Sequence, residues 1–391
     1  MRVAVVAEFY PRASDPVLGI WAHRQAVAAR DAGADVRVLV LHRPLPPLGA
    51  LRAGPATALR AAARAAAQPP RAHIDGIPIA YVPFLAPPRP GSYGDWGRWA
   101  APSLAVALRA LRRSFAFDLV HAHNAVPPGE AVRRAPTAAP LVVSVHGGDV
   151  FHTAPGSERG AAAVRAALHR ARLVLANSAG IAERCRVLGA RETRVVRLGT
   201  DLPTDRAVPY AQPTVVTTGH LVARKRHADV LRAIASLRHR PDLRYLVIGD
   251  GPEHAALQRL AAELQIADRV ELAGQLAPAE ALERTRRAAL LAMPSTDEAF
   301  GVAYVEAMAG WLPAIGAEGE PGPAEIAAAG GGMTLVPAGD VAALAKEIDR
   351  LTSDPAELRA EGDRARATVE AAFTWERCGA ATVAAYEDAL R

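Results

Sequence analysis

Lysine is almost missing from this chain of 391 residues: of its 46 basic residues only Lys225 and Lys346 are lysines, and every other cation is an arginine. A lysine inside a motif is therefore a clue, because its compact ammonium does a different job from the planar guanidinium. Cysteine is equally scarce. Cys185 and Cys378 stand without CxxC spacing, which excludes a disulfide framework and a cysteine zinc site and suits two buried thiols in a cytosolic protein. No apolar run approaches the ~18 residues of a membrane span. The opening MRVAVVAEFYP is stopped by Glu8 and reads as a first strand rather than a signal peptide. Aromatic residues make up only 5%, which leaves little for base stacking and argues against nucleic acid as a partner. Asp-x-Asp, a common device for holding a divalent metal, does not occur.

What is present is length for two domains and apolar content to fill both, with half the residues hydrophobic. The net charge of +6 hides an asymmetry: residues 1–205 carry 26 basic against 14 acidic side chains, and residues 206–391 carry 20 against 26. A basic front half suits an anionic acceptor or membrane surface. Along it, VAVVAEF, DVRVLVL, FDLVHAH, PLVVSVHGGD, RLVLANS and TRVVRLGTD are apolar runs ending in polar or glycine-containing residues, the pattern of parallel strands. PTVVTTGHL, LRYLVIGDGPE, RVELAGQ, ALLAMPS and MTLVPAGD restart it after the proline-rich linker Leu202–Pro213. The reading is α/β, with domains at 1–205 and 206–370 and a C-terminal helix at 371–391. From about Arg43 to Pro90 the sequence is poor in residue types, with Arg52, Arg60, Arg64 and Arg71 along an Ala-rich candidate helix. Arg98–Phe115 is a second basic amphipathic stretch, with Arg109, Arg112 and Arg113 beside Trp96 and Trp99.

The most informative segment is Pro294–Gly310, PSTDEAFGVAYVEAMAG. It leaves a strand at Pro294 and enters a helix near Val302, so Glu298 falls in the loop over the carboxyl end of the sheet and Glu306 in the helix. Ligands bind at that edge of an open α/β sheet, and a carboxylate there accepts from sugar hydroxyls. Pro-Ser before it, Phe300-Gly301 after the first Glu, and Glu-Ala-Met-Ala at the second together resemble the signature of the family-4 retaining glycosyltransferases of the GT-B fold.

The resemblance extends along the chain. TGHLVARKRH resembles the segment in which a basic pair binds the donor diphosphate, with Lys225 at the lysine position, Arg224 beside it, and His220 where many relatives have arginine. VIGDGPE resembles the G-D-G-P turn, with Gly249 and Gly251 admitting backbone N–H groups to a ligand. A dinucleotide fingerprint fails there because His254 stands where a third glycine is needed. GEPGPAEI resembles the glycine-rich loop before the last donor-domain helix. His123 resembles the histidine under the donor sugar, with His121 as the alternative on the same strand face. His146 and Asp149 of HGGDV resemble an acceptor-side loop, and Gly19 the flexible glycine after the first strand. Trp311 departs from the family pattern, since relatives usually carry Ala-Cys-Gly-Leu-Pro where this chain has Ala309-Gly310-Trp311-Leu312-Pro313.

The resemblance implies two Rossmann-like domains facing a cleft, a nucleotide-sugar donor on the second and an acceptor on the first, with the terminal helix, 371–391, returning to the first domain. It implies transfer with retention, without a metal or other cofactor. Glu298 and His123 would meet the donor sugar, Glu306 the ribose, and Lys225 and Arg224 the diphosphate, with Phe300 and Gly301 at the donor loop. The acceptor is expected to be anionic or lipid-linked, with the enzyme cytoplasmic and in peripheral contact with the inner membrane face. The alternatives are a soluble small-molecule acceptor, an inactive nucleotide-sugar-binding subunit, prompted by His220 and Trp311, and an epimerase on the same architecture.

Overall fold

Runs of Val, Leu, Ile and Ala long enough for five or six residues, and too apolar for a sheet wetted on one face, form parallel strands covered on both sides. The computed structural model describes residues 1–46, 48–89 and 91–391; Pro47 and Pro90, within the Arg43–Pro90 stretch, lie outside the described residues. The chain divides into two units: unit 1 comprises Met1–Leu198 and Trp375–Arg391, and unit 2 comprises Gly199–Thr374. The sequence places these boundaries near 205 and 370. The linker stretch from Leu202 has no regular secondary structure and belongs to unit 2.

Unit 1 holds β1 (Arg2–Ala7), β2 (Asp35–His42), β3 (Arg71–Ile74), β4 (Ile77–Pro83), β5 (Leu119–His123), β6 (Leu141–Val145), β7 (Leu173–Ala176) and β8 (Thr193–Val195). They lie in the order β3-β4-β2-β1-β5-β6-β7-β8, all pairs parallel except the β3–β4 hairpin. Its turn is Asp75-Gly76, both at positive φ, the residue pair that a tight hairpin prefers. The hairpin corrects the sequence reading of this region: Pro55–Ala66 is helical, but Arg71 lies in a strand. The core of the sheet face includes Val3, Val5, Val38 and Leu119 and extends to Cys378, Ala385 and Tyr386 of the terminal helix Trp375–Leu390.

Unit 2 holds β9 (Thr214–Thr218), β10 (Arg244–Ile248), β11 (Val270–Gly274), β12 (Leu290–Ala292), β13 (Ala314–Ala317) and β14 (Met333–Val336), ordered β11-β10-β9-β12-β13-β14, with every pair parallel. Counted from the first strand this is the order 3-2-1-4-5-6 of a doubly wound nucleotide-binding sheet. β13, with the sequence AIGA, is too short and glycine-broken to stand out in the sequence. In both units the direction of winding reverses beside the first strand, between β1 and β5 and between β9 and β12. Loops leaving those strands diverge to opposite faces and open a crevice.

Candidate functional site

In unit 2 the reversal point collects the charged residues. The chain leaves β9 at Thr218, makes a short turn at Ala223–Lys225 and enters the helix His227–Ser236; it leaves β12 at Ala292 and enters the helix Val302–Ala309. Thr296 N–H donates to the Arg224 carbonyl at 2.8 Å, tying the two loops together. Lys225 Nζ donates to Glu298 Oε2 at 2.5 Å and lies 3.6 Å from the Met293 sulfur. Arg224 approaches the same oxygen at 3.9 Å, and Ser295 Oγ donates to it at 2.9 Å. All these contacts fall on Oε2. The Lys225 and Glu298 side chains are only 11% and 10% exposed, so this ion pair is screened weakly by water. Tyr304 O–H donates to the Met293 carbonyl and lies 3.2 Å from Ser295 Oγ, which fixes the helix against the Glu298 loop. Glu320 accepts from the Glu298 N–H at 2.8 Å. Ser295, Tyr304 and Glu320 were not named by sequence reasoning; Ser295 was visible in the Pro-Ser pair, and Glu320 lies in the GEPGPAEI loop, which was read for its glycines.

Glu306 sits half-buried one to two turns into the same helix. Burial pushes its carboxyl up to about 7, with Arg286 pulling it down and Asp201 pushing it up. Arg286 Nε is buried and has no hydrogen-bond partner, a polar group that ordinarily finds one. This arginine, too, was absent from the sequence reading. His227, next to the basic turn, is held at about 4 by burial and by Lys225.

The glycines of unit 2 owe their identity to packing between loops. A Cβ on Gly249 would overlap the Gly219 carbonyl, and one on Gly251 would overlap Leu221. Their N–H groups already donate to Gly274 O and to Asp250 Oδ1, at 2.9 and 2.8 Å. The expected reason, N–H groups open to a ligand, is thus replaced by close approach of the β9 and β10 exits. Gly301 has φ 86° and begins its helix, where a Cβ would strike the Tyr304 ring. Phe300 corrects another expectation: the residue is 2% exposed and its ring packs edge-on to Phe373 at 5.8 Å, so its side chain belongs to the core. His220 is exposed. Trp311 packs outward from the helix end, its ring 4.3 Å from the Arg366 guanidinium and 5.4 Å from that of Arg206. Its φ of 63° explains the glycine of relatives at this place, and stacking between two cations offsets a left-handed backbone.

In unit 1 the reversal point is lined by neutral rings. His123 Nδ1 lies 3.0 Å from His146 Nε2, with the rings stacked at 5.2 Å. His121 bonds Tyr386 and Ser144 at 2.8 and 2.7 Å and is the structural member of the pair, whereas His123 Nε2 and His146 Nδ1 are buried without partners. Burial depresses all three: His121 to about 3, His146 to about 4, and His123 well below its usual value. Asp149 is buried and accepts from the Ala125 and Val126 N–H groups at 2.8 and 3.1 Å; burial raises it to about 7. It thus holds the loop after β5. Gly19, at φ 63°, starts the helix Ile20–Asp31, and a Cβ there would overlap the main chain of Phe9. Glu8, noted in the sequence only as the end of an apolar run, is 5% exposed and accepts from Arg89 and from Tyr93, each at 2.6 Å. Arg109, Arg112 and Arg113 are exposed on the helix Trp96–Ser114, but Trp96 is not beside them at the surface. It is 4% exposed, and its indole N–H donates to Pro87 O. Among the described residues no group of three or more His, Cys, Asp or Glu is placed to hold a metal ion, and no helix is long and apolar enough to cross a membrane.

Comparison with known proteins agrees with this architecture. Residues 18–203 match the family described as Glycosyltransferase Family 4, and residues 203–368 match Glycosyl transferases group 1. TuaC of Bacillus subtilis, named for teichuronic acid biosynthesis, is 27% identical over 336 residues, 81% of this chain and 80% of that protein. Seven other curated relatives are matched over between 19% and 50% of their length. Sucrose-phosphate synthase from Thermosynechococcus elongatus has a TM-score of 0.78 at 21% identity, covering 99% of this chain and 98% of that one. Anabaena HepE in complex with UDP and glucose has a TM-score of 0.72 at 19% identity, covering 99% of each. Two family models that together run from residue 18 to 368, over two doubly wound units, leave one assignment: the chain belongs to the family-4 glycosyltransferases and has the GT-B fold.

Proposed function

We propose that the protein moves a sugar from a nucleotide-sugar donor to an acceptor hydroxyl with retained anomeric configuration and without a metal, in assembly of a surface glycan or glycolipid. The observation that carries this reading is the convergence of Lys225 and Arg224 on Glu298 at the reversal point of the unit 2 sheet. The chemistry breaks the bond from the anomeric carbon to the diphosphate oxygen and forms one to the acceptor oxygen on the same face, while the acceptor proton passes to the departing diphosphate. Negative charge grows on that diphosphate. Fixed cations, already held by a carboxylate and needing no reorganisation, stabilise such charge more than that of the ground state. Glu298 Oε1 would take donor-sugar hydroxyls and Glu306 the ribose; HepE, with the same fold, binds UDP. On unit 1, His123 and His146, being neutral, can donate or accept at a sugar hydroxyl without adding charge. The basic surface of unit 1, including Arg109, Arg112 and Arg113, supports an acidic or lipid-linked acceptor and peripheral contact at the inner membrane face.

Nucleoside diphosphate release from a panel of nucleotide sugars, with chelator in excess, tests this directly. Turnover that persists under chelation is the expected result, and turnover restored only by Mg²⁺ or Mn²⁺ would overturn the metal-free mechanism. No release from any donor, together with no thermal stabilisation by any nucleoside diphosphate, would remove the donor assignment itself. A bound nucleotide at 100 times its dissociation constant should add ~2.7 kcal/mol.

A further inference from the structure

Three cavities adjoin one another along unit 1. The innermost, about 490 Å³, lies over the reversal point and is lined by Phe9, Asn124, Gly148, Asp149 and His152. It shares Phe9 and Arg89 with a second, of 520 Å³, whose wall includes Glu8, Arg12, Arg43 and Trp96. The second shares Arg43, Leu45 and Pro88 with a third, of 680 Å³, lined by Leu51, Leu85, Pro87 and Trp99. Arg89 lines the first two cavities and Arg12 and Arg43 join it in the second, whereas the outer wall is apolar apart from Arg43.

The middle cavity has three guanidinium groups and one carboxylate. Glu8 is already engaged by Arg89 and Tyr93. Arg12 donates through Nη2 to the carbonyls of Glu8 and Leu41, and its Nε is buried without a partner. Arg43 donates to the carbonyls of Ala86, Leu45 and Pro46. Neither has a carboxylate within ion-pair distance among the described residues, and burial lowers the proton affinity of both. The Arg89 guanidinium lies 4.8, 4.6 and 5.5 Å from the rings of Phe9, Tyr93 and Trp96. An anion in this cavity would relieve two weakly compensated cations. The outer cavity is unusual for the opposite reason: Leu45, Leu51 and Leu85 stand 38%, 48% and 70% exposed around it, a cluster of large apolar side chains of the sort that marks a binding surface.

We propose that unit 1 binds an anionic amphiphile as acceptor, with its reacting hydroxyl in the innermost cavity, a phosphate-type group among Arg12, Arg43 and Arg89, and an apolar chain on Leu45, Leu51, Leu85 and Trp99. This deepens the glycosyltransferase reading and rests on unit 1 taking the acceptor. A cationic middle joined to an apolar outer groove selects one molecule carrying both features, since a soluble phosphorylated sugar would leave the groove wet and a neutral lipid would leave the arginines unpaired.

The test is calorimetric titration of the full chain with butyl, octyl and dodecyl phosphate, each below its micellar concentration, and with neutral octyl glucoside. Each seated methylene is worth about 0.8 kcal/mol, or roughly fourfold in affinity, so octyl phosphate should bind at least tenfold more tightly than butyl phosphate; octyl glucoside, with the same chain but no charge for the arginines, should also bind at least tenfold more weakly than octyl phosphate. Replacing both exposed leucines, Leu51→Asn with Leu85→Asn, should remove at least tenfold of the dodecyl phosphate affinity and leave butyl phosphate unchanged. Equal affinities for butyl and dodecyl phosphate would overturn the proposal in favour of a soluble anion, and equal affinities for glucoside and phosphate would overturn the arginine assignment. Wild-type dodecyl phosphate binding by the double variant would place the chain elsewhere. Nucleoside diphosphate binding, measured on the same samples, reports on unit 2 separately; its loss counts against the donor reading and not against this one.

Discussion

Both units reverse their winding beside the first strand, yet unit 1 fills that place with neutral imidazoles and a carboxyl raised to about 7, whereas unit 2 fills it with a lysine, an arginine and a carboxylate in contact. Overall charge runs the other way. Unit 1 has 28 basic against 15 acidic side chains, unit 2 has 18 against 25. Surface charge and site charge are therefore set independently: the first by which exposed positions are arginine, the second by how deeply the loops at the reversal point are buried and what they meet there. Buried ions persist where they are paired, as at Lys225–Glu298 in unit 2 and Arg89–Glu8 in unit 1, whereas His123 and His146, which meet each other, and His121, which bonds Tyr386 and Ser144, are held uncharged by burial.

The sharpest way to break this contrast is Lys225→Ala. If the unit 2 cluster stabilises charge on a departing diphosphate, turnover should fall by about 10²–10³, the usual effect of deleting one preorganised donor. A loss smaller than tenfold in a steady-state assay would show that the ion pair is structural.

A second effect, of medium size, separates the units by pH. Depressed histidines leave the folded state with fewer protons than the unfolded chain between about pH 6.5 and 4, so their stability contribution is present above pH 6.5 and lost as pH falls through that value. Unit 1 has His42, His121, His123 and His146 lowered, against Asp149 raised, which acts in the opposite sense between about pH 4 and 7. In unit 2 lowered His227 is balanced by raised Glu306. Between pH 7 and 5 unit 1 should lose on the order of 1 kcal/mol per pH unit for each unbalanced histidine. Hydrogen exchange resolved by peptide should show unit 1 opening first; equal loss in the two units would contradict the neutral-ring assignment.

The smallest effect concerns Glu306. With its carboxyl at about 7, a site that needs the charged form to accept from ribose hydroxyls should lose up to about tenfold in nucleotide affinity between pH 8 and 6, the slope of one proton. Glu306→Gln should bind more weakly at pH 8 and show a flat profile. A wild-type profile that is equally flat would detach Glu306 from the nucleotide.

The apolar runs and the Pro294–Gly310 segment made most strands and the Glu298 loop legible, because a buried parallel strand must be apolar throughout and its exit must turn. β13 and the β3–β4 hairpin escaped, the first through its brevity and the second because the Asp75-Gly76 turn lies in sequence otherwise rich in Ala, Arg and Pro. Residues named from motifs were placed in the expected loops, but their reasons changed: Gly249 and Gly251 serve loop packing, Phe300 the core, and Asp149 the loop after β5.

The sequence alone determined the periodicity of the strands, the order of the motifs and the near-absence of lysine that singles out Lys225, since these are properties of residues and their neighbours along the chain. Only the tertiary structure decided that Lys225 and Glu298, 73 positions apart, share a proton-donating contact, that Arg286 stands by Glu306, and that Glu8 meets Arg89. Such pairings depend on which strands lie side by side and how far water is excluded between them, and both are set by packing of the whole sheet.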